Sequence, residues 1–109
     1  MIISNINAYK NGWFIGDFEP SLLRTSAFEV AHHFYPKGFK GTPHVHKIST
    51  EYNYIVSGRL TASGKELCSG DFFIYEPMDV SDVEFLEDTN LIIVKTPSMP
   101  QDKYEHKSK

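Results

Sequence analysis

A chain of 109 residues with 40% apolar and 23% charged content has the balance of one ordinary globular domain, with no room for two. Lys and Arg number 11 against 14 Asp and Glu, a formal charge of −3 with no basic block, which argues against a nucleic-acid partner. No stretch approaches the roughly 20 apolar residues that cross a bilayer, so no membrane partner is expected.

The start, Met1-Ile2-Ile3-Ser4-Asn5, lacks the basic region and long apolar run of a signal peptide. Cys68 is the one cysteine, so no internal disulfide can form, and a reducing compartment, the cytoplasm, is expected. Ile2, Ile3, Trp13, Phe14 and Ile15 make an apolar N-terminal arm that is expected to cover a sheet edge in a homodimer. A helical turn is expected only near Ser21-Leu22-Leu23. From there the chain is punctuated by turn residues at Pro36, Gly38, Gly41, Pro43, Gly58, Gly64, Gly70 and Pro77, and the runs between are rich in Val, Ile, Phe, Tyr and Thr. Short runs spaced by turns predict an all-β sandwich or barrel.

Phe28, Val30, His32 and Phe34 alternate with Glu29, Ala31, His33 and Tyr35, the period of a strand. Further strands are expected at 51–56, 59–62, 72–75, 83–85 and 91–94, the last closed by Pro97. Cys68, without a C-x-x-C partner, reads as a small core residue. The proline-marked segment Val94 to Tyr104 suits an extended arm over a barrel edge or a neighbour. The basic end, Lys103 to Lys109, reads as a frayed, solvated tail. The whole, 1–109, is expected to be one domain, with a barrel core at about 26–96 flanked by the N-terminal arm and the C-terminal tail.

His44-Val45-His46 carries the chemistry. In a strand, residues two apart share a face, so both imidazoles can converge on one point. Imidazole suits Zn, Mn, Fe, Ni and Cu alike and does not name the metal. Glu51 follows after four residues and can add an anionic third ligand, as in a 2-His-1-carboxylate site. An H-x-H pair alone reads equally well as two strand histidines on a wet face. The segment Gly38 to Gly58, GFKGTPHVHKISTEYNYIVSG, adds a wider pattern: Gly, five residues, His-x-His, four residues, Glu, six residues, Gly.

This pattern resembles the first signature of the cupin superfamily at every fixed position. The resemblance implies a single-domain, RmlC-like jelly-roll β-barrel in which His44, His46 and Glu51 face inward and bind a divalent metal (Zn, Mn, Fe or Ni). Gly38 and Gly58 match the turn glycines, where positive φ or close approach excludes a side chain.

The second cupin signature is degenerate. Gly70 to Pro77 supplies the Gly, strand and Pro, but Met78-Asp79 occupies the region of the turn glycine, and Ser81 or Asp82 stands in place of the fourth-ligand His. Inward alternation of Val83 and Phe85 would turn Ser81 inward and Asp82 outward; a bulge after Pro77 would reverse this. Asp82, or the inward member of His32 and His33, is therefore a candidate fourth ligand, with Ser81 or water otherwise. Asn53 shares Glu51's face and is expected to orient a ligand or satisfy Glu51. Tyr52 and Tyr54 fall on the opposite face.

Three functions compete. The first is a metal-dependent enzyme (isomerase, lyase or dioxygenase) acting on a small polar molecule, sugar-related ones included. The second is a binding module for a small molecule without turnover, and the third is a structural dimer with a vestigial site. The fold alone does not choose among them.

Overall fold

Alternation along the longest strands sets the architecture. The computed structural model describes residues 1–106, and its strands are β1 (Trp13–Gly16), β2 (Leu23–Arg24), β3 (Glu29–Tyr35), β4 (His44–Val45), β5 (Thr50–Ser57), β6 (Arg59–Ala62), β7 (Lys65–Cys68), β8 (Phe72–Tyr75), β9 (Val83–Phe85), β10 (Thr89–Thr96) and β11 (Tyr104–Glu105). In β10, Thr89, Leu91, Ile93 and Lys95 are buried while the residues between them are only half-buried. Period-2 side chains therefore give the sheet one core face.

The strands form a six-stranded sheet in the order β2-β1-β3-β10-β5-β8, a three-stranded sheet β7-β6-β9 and a two-stranded ribbon β11-β4. Ala31, Ile55, Leu91 and Ile93 from the large sheet pack with Leu60, Ala62 and Phe85 from the small one. The two inner faces thus share one core, and each fully buried large aliphatic or aromatic side chain there contributes about 1.5–3 kcal/mol. This is the jelly-roll arrangement. The ladders do not close into a continuous barrel; isolated bridges, Lys40 to Glu84 and His44 to Ser81, tie the segment after β3 and strand β4 to β9 and the residues before it. Pro36, Pro43 and Pro77 lie in the gaps between strands, where a missing N–H ends a ladder. Gly58, at the β5–β6 turn, has φ +105° and a Cβ there would overlap the Asp88 carbonyl and the Thr89 side chain, so only glycine fits.

Three local expectations are corrected. Leu23–Arg24 is a strand parallel to β1, not a helical turn, because the Leu22 N–H donates to the Phe14 carbonyl at 2.7 Å instead of closing a helix; the short 3₁₀ turns lie at Ile6–Ala8 and Lys10–Gly12. Cys68 is exposed, because β7 is an edge strand with no layer over it. The basic end is not frayed where it is described: Tyr104–Glu105 pairs with His44–Val45, and the His106 N–H donates to the Pro43 carbonyl at 3.0 Å. The rest of that tail, 107–109, lies outside the described residues. No helix among the described residues is long and apolar enough to cross a membrane.

Candidate metal centre

His44 opens β4, His46 directly follows that strand, and Glu51 is the second residue of the next strand, β5. One ligand atom from each of the three lies within 4.8 Å of the others, the spacing of groups that can share an ion. His46 is 4% exposed, and its Nδ1 is 3.5 Å from Glu51 Oε2. The two imidazoles meet edge to face, centroids 5.1 Å apart.

Neighbouring groups prepare each of the three. His44 Nδ1 is 3.0 Å from the Thr42 carbonyl. A carbonyl only accepts, so Nδ1 carries the proton and Nε2 keeps its lone pair, the tautomer a metal ligand needs. Asn53 donates from Nδ2 to Glu51 Oε1 at 3.1 Å and so fixes the carboxylate. Burial, helped by Lys95 and His44, holds the His46 imidazole down at about 4, so it is neutral at pH 7.

The loop between His46 and Glu51 is held from the C-terminal segment. Asp102, 2% exposed, accepts backbone N–H bonds from Lys47 and Ile48 at 2.9 Å and from Ser49 at 2.8 Å. Burial alone would raise this carboxyl, but the three donors outweigh it and hold it below the usual range. Ser49 Oγ donates to the Pro97 carbonyl at 2.9 Å, and the Lys47 ammonium sits 4.0 Å from the Tyr104 ring centroid.

The group stands where two lobes of a cavity meet. One lobe, about 340 Å³, is lined by Trp13, Glu29, His33 and Lys95 together with all three members of the group. The other, about 260 Å³, is largely apolar, with Phe39, Phe73 and Phe85 in its wall, and shares His44 and Glu51. These volumes suit a small molecule.

No family model and no curated protein matches the sequence. Solved structures do match the fold. KdgF from Halomonas sp. is 25% identical, with 69% of this chain and 74% of that one covered and a TM-score of 0.63. An RmlC-like cupin from Shewanella frigidimarina NCIMB 400 is 22% identical, covering 70% and 71%, TM-score 0.63. The chain has the cupin fold. A bacterial pirin, YhhW from Escherichia coli in complex with nickel(II), shares the fold at 15% identity, covering 80% of this chain and 39% of that one, TM-score 0.63.

Within this cupin fold the candidate fourth ligands separate by strand parity. Ser81 is buried, lines the second lobe and exchanges backbone hydrogen bonds with His44 at 2.8 and 3.2 Å. Asp82 is exposed on the outer side, so the parity of Val83 and Phe85 runs back through Ser81 with no reversing bulge. His32 also lies off the cavity floor, its Nε2 3.0 Å from Asn90 Oδ1. His33 is the inward histidine: its Nδ1 is 2.9 Å from the Tyr35 hydroxyl, and its ring stands edge-on to Trp13 at 5.4 Å. Burial lowers its basicity. It lines the larger lobe but does not come within ligand distance of the other three.

Sequence reasoning passed over Glu29, Tyr35, Lys95 and Asp102. A signal was present for the first and third: both are charged residues at the inward parity of strands whose other inward residues, Ala31, Leu91 and Ile93, are apolar. Asp102 gave no local signal, because its partners lie more than fifty residues upstream.

Proposed function

We propose that this cupin holds one divalent metal on His44, His46 and Glu51 and acts on a small polar metabolite, sugars included, inside the cavity. The observation that carries this is the convergence of the three ligand atoms at the junction of the two lobes, where a bound molecule would meet the ion. The donor set fits such an ion: a neutral buried imidazole, a second imidazole with a free Nε2, and a fixed carboxylate. Zn, Mn, Fe and Ni all accept these donors. When bound, the metal supplies Lewis acidity toward an oxygen of the substrate. Around it, His33 and Tyr35 form a hydrogen-bonded pair at 2.9 Å that can hold a proton on the cavity wall. A second reading, a binding module without turnover, is favoured by Ser81 standing where a fourth histidine would complete the set.

The test is metal binding by the parent, His46→Ala and Glu51→Ala, each refolded with excess Mn, Fe, Ni and Zn in turn. The parent should take up near-stoichiometric metal that survives dialysis, and each variant should lose it. Variants that retain metal as tightly as the parent would refute the site. Turnover of candidate metabolites by the loaded parent then separates enzyme from binding module.

We also infer a homodimer in the cytoplasm. The lone Cys68 supports the compartment. For the dimer, support comes from the outer face of the large sheet, where Tyr52 pairs with Ile74 and Tyr54 with Phe72 across β5 and the edge strand β8. Phe72 is 68% exposed and Ile74 51%, a contiguous apolar patch of the kind that marks interfaces. This patch replaces part of the N-terminal cover expected from sequence: Ile2 and Ile3 are exposed, but Trp13 packs inward against the core.

A further inference from the structure

Three neighbouring strands carry charged side chains into the core in one row. Register sets Glu29 of β3 opposite Lys95 of β10, and Lys95 opposite Glu51 of β5. Lys95 is 5% exposed and Glu29 2%, and Lys95 Nζ lies 2.8 Å from Glu29 Oε1. Glu29 is held on its other side, where Oε2 accepts from the Ser98 hydroxyl at 2.8 Å, and Ser98 Oγ accepts from the Asp17 N–H at 2.9 Å. Both carboxylate oxygens are thus engaged and the group is fixed. An ammonium has three donors and this ion pair occupies one. Lys95 lines the larger lobe, its Nζ 5.5 Å from the Trp13 ring centroid.

Burying such a pair costs desolvation energy that an apolar replacement of similar shape would avoid. Its place is also specific: the cation shares a cavity with the three metal-binding candidates and stands directly across from one of them. Three lysines (Lys10, Lys95, Lys103) and three glutamates (Glu19, Glu29, Glu51) line this lobe, so their formal charges cancel. A divalent ion would leave the lobe positive by two charges, and a positive lobe selects an anion. No arginine lines it, so the anion would meet one compact ammonium and the metal rather than a bidentate fork, and a small carboxylate has the two oxygens to bridge them.

We propose that Lys95, steadied by Glu29 and Ser98, is the counter-ion for a small carboxylate ligand that bridges to the metal at His44, His46 and Glu51. This rests on the metal site proposed above and narrows the substrate class to small carboxylic acids, with one carboxylate oxygen on the ammonium and a second oxygen of the ligand at the ion.

The test uses Co(II)-loaded full-length protein, titrated with oxalate, pyruvate and lactate and with neutral lactamide. Co(II) absorption reports the metal, and quenching of Trp13, the single tryptophan, reports occupancy of the lobe. The parent should bind a carboxylate at least tenfold more tightly than lactamide. Lys95→Met should keep its Co(II) spectrum yet lose that preference, and Lys95→Arg should recover part of it. The double variant Lys95→Met with Glu29→Gln removes both charges, so no unpaired carboxylate threatens folding, and it should lose the preference likewise. If the parent takes no Co(II), the metal site and this inference fall together. If it takes Co(II) but does not prefer carboxylate over amide, or if the double variant keeps the preference, the role of Lys95 alone is refuted.

Discussion

Cutting the tie between the C-terminal segment and the ligand loop should cost both stability and metal affinity. Asp102→Ala removes an acceptor that serves three backbone amides. Lys47 and Ile48 are exposed, so water can replace the acceptor there, and the loss is about 0.5–1.5 kcal/mol for each bond. Ser49 is 0% exposed, and its N–H would be stranded at about 1–3 kcal/mol. Together these give about 2–6 kcal/mol, a large share of the stability of a domain this size. Asp102→Asn keeps one acceptor oxygen but sets an NH₂ against the amides, so it should fall between parent and Ala. The same loop joins His46 to Glu51, so its release should weaken metal binding, by roughly tenfold for every 1.4 kcal/mol of ligand ordering lost. Urea unfolding of the metal-free protein measures the first effect, and Ni titration of the folded protein the second. Asp102→Ala unfolding within about 0.5 kcal/mol of the parent, a change typical of any surface site, with unchanged Ni affinity, would refute the clamp.

Acid should destabilise the metal-free protein through His46. Its imidazole titrates at about 4 when folded against 6.5 when free. The folded chain therefore binds fewer protons between these values, and the stability is complete above pH 6.5 and lost as pH falls toward 4. The loss is on the order of 3 kcal/mol. A melting temperature that is flat from pH 7 to 4.5 would contradict this, and His46→Gln should flatten the profile. At the outer face, Phe72→Lys should shift light scattering from a dimer mass to a monomer mass at micromolar concentration without changing the far-UV spectrum; a parent already monomeric there would end the dimer reading. The losses of metal in His46→Ala and Glu51→Ala, and of carboxylate preference in Lys95→Met, complete the set.

Much of the layer architecture was readable from local pattern. The strands expected at 59–62, 72–75 and 83–85 form with those bounds, because each is a short β-rich run, the first two bounded by Gly or Pro turns. β7 and β11 were not foreseen: Lys65–Cys68 and Tyr104–Glu105 are polar or short, and they pair only because β6 and β4 offer open edges. The Leu22–Leu23 pair shows the same limit, since a backbone bond to Phe14 overrides its helical tendency.

For the site, the sequence by itself determined the candidate group, since His44, His46 and Glu51 depend on alternation and a short connection, which are local properties. It also determined that Asn53 shares the face of Glu51, where it donates its hydrogen bond. Tertiary structure alone decided the parity beyond Pro77, turning Ser81 in and Asp82 out, and chose His33 over His32 for the cavity. It also decided what surrounds the group. Lys95 meets Glu29 because β3 and β10 are adjacent, though the two lie 66 positions apart in the chain, and Asp102 reaches the ligand loop from more than fifty residues away. Spacing along a strand fixes which side chains share a face, but which faces meet depends on strand order, and strand order is settled only when the whole core packs.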